Sequence, residues 1–142
     1  MINVIKLEGY GVTLSSLRET DIEQVRQWRN HPDVAKYMFD QGNISVEQQQ
    51  QWFKSLSQQD DRCYLLINYK QEKIGVINAH SSDASKLLMA EVIIPGLYIA
   101  PDSKYKNSIL AFSPSLVFID YLFEQGNCKQ LLAQVLPHNK SA

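Results

Sequence analysis

The sequence predicts an α+β domain in which one mixed, mainly antiparallel sheet is covered by helices. Strand-like alternation recurs at 11–17, 63–69, 74–80, 88–100 and 129–136. Amphipathic helical segments fall at 20–30, 45–56 and 107–125, between and around those strands. The middle strands follow one another through short polar turns, whereas helices bracket them, so the order is β-α-α-α-β-β-β-α-β. The chain has 142 residues, one domain at roughly 150 residues per domain. It is 44% hydrophobic and 20% charged, a composition that excludes disorder and supports a core without staples. With a net charge of −1 it lacks the excess basic charge that nonspecific nucleic-acid binding needs.

The first strand, 11–17, leads into Thr20 and Glu23, the two ends of a capping box. Ile22, Val25 and Trp28 give the helix that follows an apolar face. Pro32 ends it near Asn30 and His31 and opens a short second helix through Val34, Tyr37 and Met38. A turn at 40–43 precedes a second capping box, Ser45 with Gln48, which opens a helix carrying Val46, Trp52, Phe53 and Leu56. The glutamine run 48–51 reads as that helix's solvated face. Strands 63–69 and 74–80 join through a tight turn at 70–73. The strand at 88–100 is interrupted by Pro95 and Gly96; proline cannot donate to the ladder, so a bulge or an edge is expected there. Ile109, Phe112, Leu116, Ile119 and Phe123 then mark a long apolar helix. Pro114 implies a kink in it, or a start at Ser113 and Pro114; continuity of the apolar face favours a kinked helix from near Asn107. Gly126 reads as its C′ residue, and 129–136 as the last strand.

Cys63 and Cys128 lie far apart in sequence and read as reduced core thiols. No apolar run reaches the roughly 20 residues a bilayer span requires, and the N-terminus lacks the pattern of a signal peptide, so no membrane partner and a cytoplasmic location are expected. No phosphate-binding glycine loop or nucleophile elbow is found. His31, His80 and His138 have no metal-ligand spacing, so no metal is expected.

Several short patterns carry a family resemblance. Leu17, Arg18 and Asp21 resemble an "LR-x-x-D" opening, and Trp28, Arg29, Asn30, Pro32 and Val34 a "WRN-x-P-x-V" segment. Ile74 and Gly75 resemble an "IG" strand; Ala90, Glu91, Leu97, Tyr98, Ile99 and Pro101 resemble the next strand and its exit, and Val135 with Asn139 the following one. Together they resemble the GNAT superfamily of acetyl-CoA-dependent N-acyltransferases. The nearest subgroup acts on ribosomal-protein N-termini or amino groups of nucleotide-linked sugars. The resemblance implies a three-layer α/β/α arrangement, acetyl-CoA as co-substrate, and a primary amine as acceptor: an amino sugar, an N-terminus or a small amine.

The resemblance also implies roles. The CoA diphosphate would sit on amides at the start of the long helix. The loop there departs from the family pattern, because Ile109 replaces its central glycine; Lys106, Asn107, Ser108 and Ala111 are the candidate phosphate contacts, with Asn139 near the next strand's exit. Leu97, Tyr98 and Ile99 would contact pantetheine. Glu91 is the first candidate base and His80 the second, taking a proton from an amine that attacks directly while strand amides stabilise the oxyanion. Arg29, Asn30, Tyr37 and Met38 would form the acceptor wall. In the family a helix with an acidic tyrosine and a closing hairpin follow; the sequence stops before both, and no tyrosine follows Tyr121. With Ile109 and Pro114, that motivates an alternative, a catalytically impaired binding or dimerising module whose oligomer is built on the open edge of the final strand or on the long helix. A third reading is an incomplete product of a longer gene.

Overall fold

The structure, a computed structural model, describes residues 5–38, 43–106 and 112–132. Its centre is a six-stranded sheet in the order β1-β2-β3-β4-β5-β6, formed by β1 (Lys6–Gly9), β2 (Val12–Ser16), β3 (Arg62–Tyr69), β4 (Glu72–Ser81), β5 (Val92–Ile99) and β6 (Gln130–Leu131). Neighbours are antiparallel except β5 and β6, which run parallel. Helices α1 (Ile22–Asn30), α2 (Pro32–Ala35), α3 (Val46–Leu56) and α4 (Phe112–Gln125) complete the α+β architecture. Among the described residues no helix is long and apolar enough to cross a membrane.

Strand β1 is absent from the sequence reading. Its edge position suits Lys6 and Glu8, which pair at 3.5 Å, and a short charged strand gives little periodic signal. The turn into β2 places Tyr10 at φ 51° and Gly11 at φ 82°, as a two-residue hairpin demands. Lys70 and Gln71 repeat that device between β3 and β4, at φ 49° and 66°.

The sheet separates two cores. One face buries Leu14, Leu65, Ile67, Ile77 and Ile93 against Val117, Phe118 and Leu122 of α4. The other buries Leu66 and Val76 against Val25 and Trp28 of α1, with Trp52 and Phe53 of α3 packed alongside. Gly75 is needed where β5 crosses β4, because a Cβ there would collide with the Tyr98 carbonyl.

Several local expectations are corrected. Thr20 and Glu23 do not form the first cap. A short helical turn, Glu19–Asp21, precedes α1, and the buried Asp21 carboxylate accepts the Arg18 N–H at 2.9 Å and Lys73 Nζ at 2.9 Å. Glu23 instead bonds Arg26 at 2.7 Å. The second capping box forms as read, Gln48 N–H to Ser45 Oγ at 3.1 Å and Ser45 N–H to Gln48 Oε1 at 2.8 Å. The glutamine run is not wholly solvated: helical phase turns Gln49 inward, where Nε2 donates to the Ile22 carbonyl at 2.8 Å. Residues 87–89 form a helical turn, so the strand begins at Val92. No bulge occurs at Pro95 and Gly96, whose pairing with Ala79 and Asn78 is unbroken; the irregularity lies between Ile67 and Asn68. Gly126 is not at positive φ; a Cβ there would come within 2.8 Å of the Leu122 carbonyl and 3.2 Å of that of Leu88. The helix start expected near Asn107 and the strand residues 133–136 lie outside the described residues.

Candidate active site

The outer edge of β5 and the α1-facing side of the sheet meet at residues 94–99. Along β5 the backbone groups alternate. The Ala100 N–H donates to the Ile74 carbonyl at 2.7 Å and the Val92 carbonyl accepts from Ser82 at 3.1 Å, so even-numbered residues serve β4. The carbonyls of Glu91 and Ile93 accept from Lys129 and Leu132 at 2.8 and 2.9 Å, so odd-numbered residues face outward. Strand alternation therefore turns the amides of Leu97 and Ile99 toward the outer edge. Pro95 shares that orientation, which is why a residue without an N–H sits in an unbroken ladder. Among the described residues β6 pairs only with Val92 and Ile93, leaving 94–99 without a strand on that side.

Cross-strand partners put three rows on the α1-facing side. Leu66, Val76 and Tyr98 form one; Tyr64, Asn78 and Gly96 the next; Arg62, His80 and Ile94 the third. Trp52 stands edge-on to Tyr64 with centroids 5.0 Å apart. Gly96 makes room for Asn78, since a Cβ there would come within 2.5 Å of the Asn78 Oδ1. Arg29 reaches this side from α1, where it shares a face with Val25, four residues before it. Its Nε is buried without a hydrogen-bond partner, and so is the Tyr98 hydroxyl. Burial pushes the Tyr98 phenol well above its ordinary range, and the positive charge of Arg29 opposes that rise.

The two candidate bases differ. Burial, aided by the charge of Arg62, holds His80 below the ordinary imidazole range, with Asp61 opposing. Such a histidine is neutral at pH 7 and can accept a proton. Glu91 lies at the foot of β5, exposed and paired with Lys129 at 3.4 Å, while its carbonyl anchors the chain entering β6.

The remaining candidates have distinct settings. Both ends of the Asn30 amide are spent on Ile44, at 2.8 and 2.9 Å, which ties the approach to α3 onto α1. Tyr37 and Met38 follow α2, with the Lys36 ammonium 5.0 Å from the Tyr37 ring centroid. Lys106 pairs with Asp33 of α2 at 3.1 Å, linking the loop after β5 to the α1–α2 wall. Asn107, Ser108, Ala111 and Asn139 lie outside the described residues. Asn78, Tyr64 and Trp52 were missed by sequence reasoning; the alternation of 74–80 places Asn78 and His80 with Val76, the signal that could have found Asn78. Cys63 is free and buried, its thiol pushed up to about 12 by burial, and Cys128 is free and buried as well. A cavity of ≈ 470 Å³ between β1 and α4, lined by Glu8, Tyr10, Asp120 and Glu124 among others, is on the opposite side of the sheet.

Comparison with known proteins gives this geometry a context. The sequence model of the acetyltransferase (GNAT) domain matches residues 12–142. Acetyltransferase PseH of Campylobacter jejuni is 29% identical over 139 residues, covering 98% of this chain and 79% of its own length. The solved structure of AAC(6')-Ib in complex with ribostamycin and coenzyme A superposes with a TM-score of 0.77 at 17% identity, covering 91% of this chain and 76% of that one. The ribosomal L7/L12 alpha-N-protein acetyltransferase RimL superposes at 0.72 with 13% identity, covering 96% and 75%.

Proposed function

Since the chain belongs to the GNAT acetyltransferase family, we propose that it transfers an acetyl group from acetyl-CoA to a primary amine of a small molecule, an amino sugar first among them. The family match carries the reaction class, and the similarity to the acetyltransferase PseH supports a like activity. The fit to the co-substrate rests on the outer side of β5. Leu97 and Ile99 present amides there that no described strand uses, the donors that a pantetheine arm would take. Lys106, with Asn107, Ser108 and Ala111, would hold the phosphate end. When bound, acetyl-CoA supplies an activated acetyl thioester.

The chain's own residues then have separate tasks. His80, neutral and half-buried on the acceptor side, takes the proton from the incoming ammonium. The Leu97 amide lies within the same stretch of β5 and donates to developing negative charge at the edge. Trp52, Tyr64 and Asn78 line the space in which the acceptor sits, with Arg29, Tyr37 and Met38 toward the helices. Asn30 acts indirectly by holding the Ile44 segment. Glu91 stays at the rim, paired with Lys129. A homodimer is part of this proposal: Phe112, Leu116 and Phe123 are exposed along α4, Phe112 by 68%, and light scattering reads the assembly.

The test is release of free CoA, followed by a thiol reagent, with and without a panel of amino sugars, polyamines and N-terminal peptides. Amine-dependent release is expected. The reading is withdrawn if acetyl-CoA neither binds in a calorimetric titration nor loses its acetyl group to any amine in the panel.

A further inference from the structure

We propose that Arg29 and Tyr98 form an anion-recognising subsite, so that the acceptor is an amine carrying a phosphate or carboxylate as well. Two buried donors without partners in one place are uncommon in a folded chain, where nearly every buried polar atom is bonded. Here Nε of Arg29 and the hydroxyl of Tyr98 are both in that state, on the same side of the sheet. Tyr98 packs against the cluster that Val25 and Trp28 of α1 form with Leu66 and Val76, and Arg29 adjoins Trp28 in that helix. A guanidinium has donors alone, and a phenol hydroxyl can donate as well as accept. Together they offer donors to an oxygen-rich group.

Among the described residues, four acids near the helices and β3 are paired with other bases. Asp21 pairs with Lys73 at 2.9 Å, Glu23 with Arg26 at 2.7 Å, Asp33 with Lys106 at 3.1 Å and Asp61 with Arg62 at 3.0 Å. Among the described residues no carboxylate bridges to Arg29. A polycationic amine would bring further ammonium groups toward a guanidinium that no described carboxylate bridges, in a partly desolvated place where like charges repel more strongly than in water. An anionic oxygen there gains charge-assisted hydrogen bonds. The Tyr64, Asn78 and Gly96 row lies between this pair and His80, so one ligand can hold its anion at Arg29 and its amine nearer His80.

The inference rests on the acetyl-transfer reading for the amine end of the ligand, but its readout needs no turnover. Calorimetry measures binding of glucosamine 6-phosphate, glucosamine and ribostamycin to the intact chain and to Arg29→Gln, Arg29→Lys and Tyr98→Phe, each first shown folded by thermal melting. The phosphorylated sugar is expected to bind about tenfold or more tightly than glucosamine, with Arg29→Gln erasing the difference, Arg29→Lys keeping part of it and Tyr98→Phe weakening it a few-fold. Equal binding of the two sugars, tighter binding of ribostamycin, a preference that survives Arg29→Gln, or no binding of the phosphorylated sugar at millimolar concentration would each overturn the subsite. An Arg29-dependent preference without CoA release leaves the subsite standing and removes the transfer reading. CoA release that is indifferent to the acceptor's charge does the reverse.

Discussion

The two sides of the sheet use the same strands for opposite ends. Toward α4 the alternating side chains are apolar and meet an apolar helix: Leu14, Leu65 and Ile67 are fully buried, and Phe118 fills the contact. Toward α1 and α3 the apolar cluster is smaller, and past Val76 the β4 side chains become Asn78 and His80. Two buried donors on that side have no partner. A strand's period of two lets one sequence build a sealed core on one side and a chemically equipped surface on the other. Apolar contact is gathered on the first, and polar groups on the second.

Substitutions on the two sides should therefore separate. Phe118→Ala should cost about 3–5 kcal/mol of stability, seen in denaturant melts, with KM for either substrate unchanged where the chain stays folded. His80→Gln should do the opposite, lowering kcat about 100-fold with little change in melting. Because burial holds His80 below the ordinary imidazole value, the wild-type rate should stay level as pH falls to about 6.5 and drop only below that, as the histidine gains its proton. The variant should lose this acid limb, and a retained limb would assign the proton transfer elsewhere.

A buried charge on the α1 side gives a smaller effect on stability. Burial opposes ionisation of Asp21, but the Arg18 N–H and Lys73 outweigh it, so its carboxyl lies below the usual carboxylate range. Its contribution is present above the unfolded value and disappears as pH falls through the folded one. Asp21→Asn should cost about 2 kcal/mol at neutral pH and flatten the acid side of the stability curve, read by melts across pH. The smallest effect on the fold should come from Leu97→Pro. The amide it removes points away from β4, so stability should change by less than about 1 kcal/mol while KM for acetyl-CoA rises about tenfold and kcat falls with the lost oxyanion donor. A large stability loss would show that the outward amide is already in use.

How much of this was legible follows from how local each signal is. Helices α2 and α3 carry their own punctuation: Pro32 opens α2, and Ser45 with Gln48 starts α3 as read. Strands β3 and β4 declare themselves by alternation. Strand β1 does not, because four residues with charges at an edge look like a tail. Pro95 was readable as a bulge or an edge, and only the direction of the β5 hydrogen bonds decides for the edge. The site was legible as a set of strands and a family pattern, not as a geometry. Asn30 looked like an acceptor contact, yet its amide is consumed by Ile44, a partner brought to it by a loop with no periodicity. Arg29 and Tyr98 come from distant segments, and their meeting is a product of α1 crossing the sheet. What local pattern could have said is that Arg29, four residues after Val25, shares the buried face of its helix.

Every role proposed for the site depends on the outer side of β5 receiving the co-substrate. Amide hydrogen exchange, followed residue by residue in the free chain and with saturating acetyl-CoA, tests it most directly. Exchange at Leu97 and Ile99 is expected to slow markedly on addition, while Tyr98, already turned toward β4, changes little. Binding of acetyl-CoA with Leu97 and Ile99 exchanging as before would contradict it.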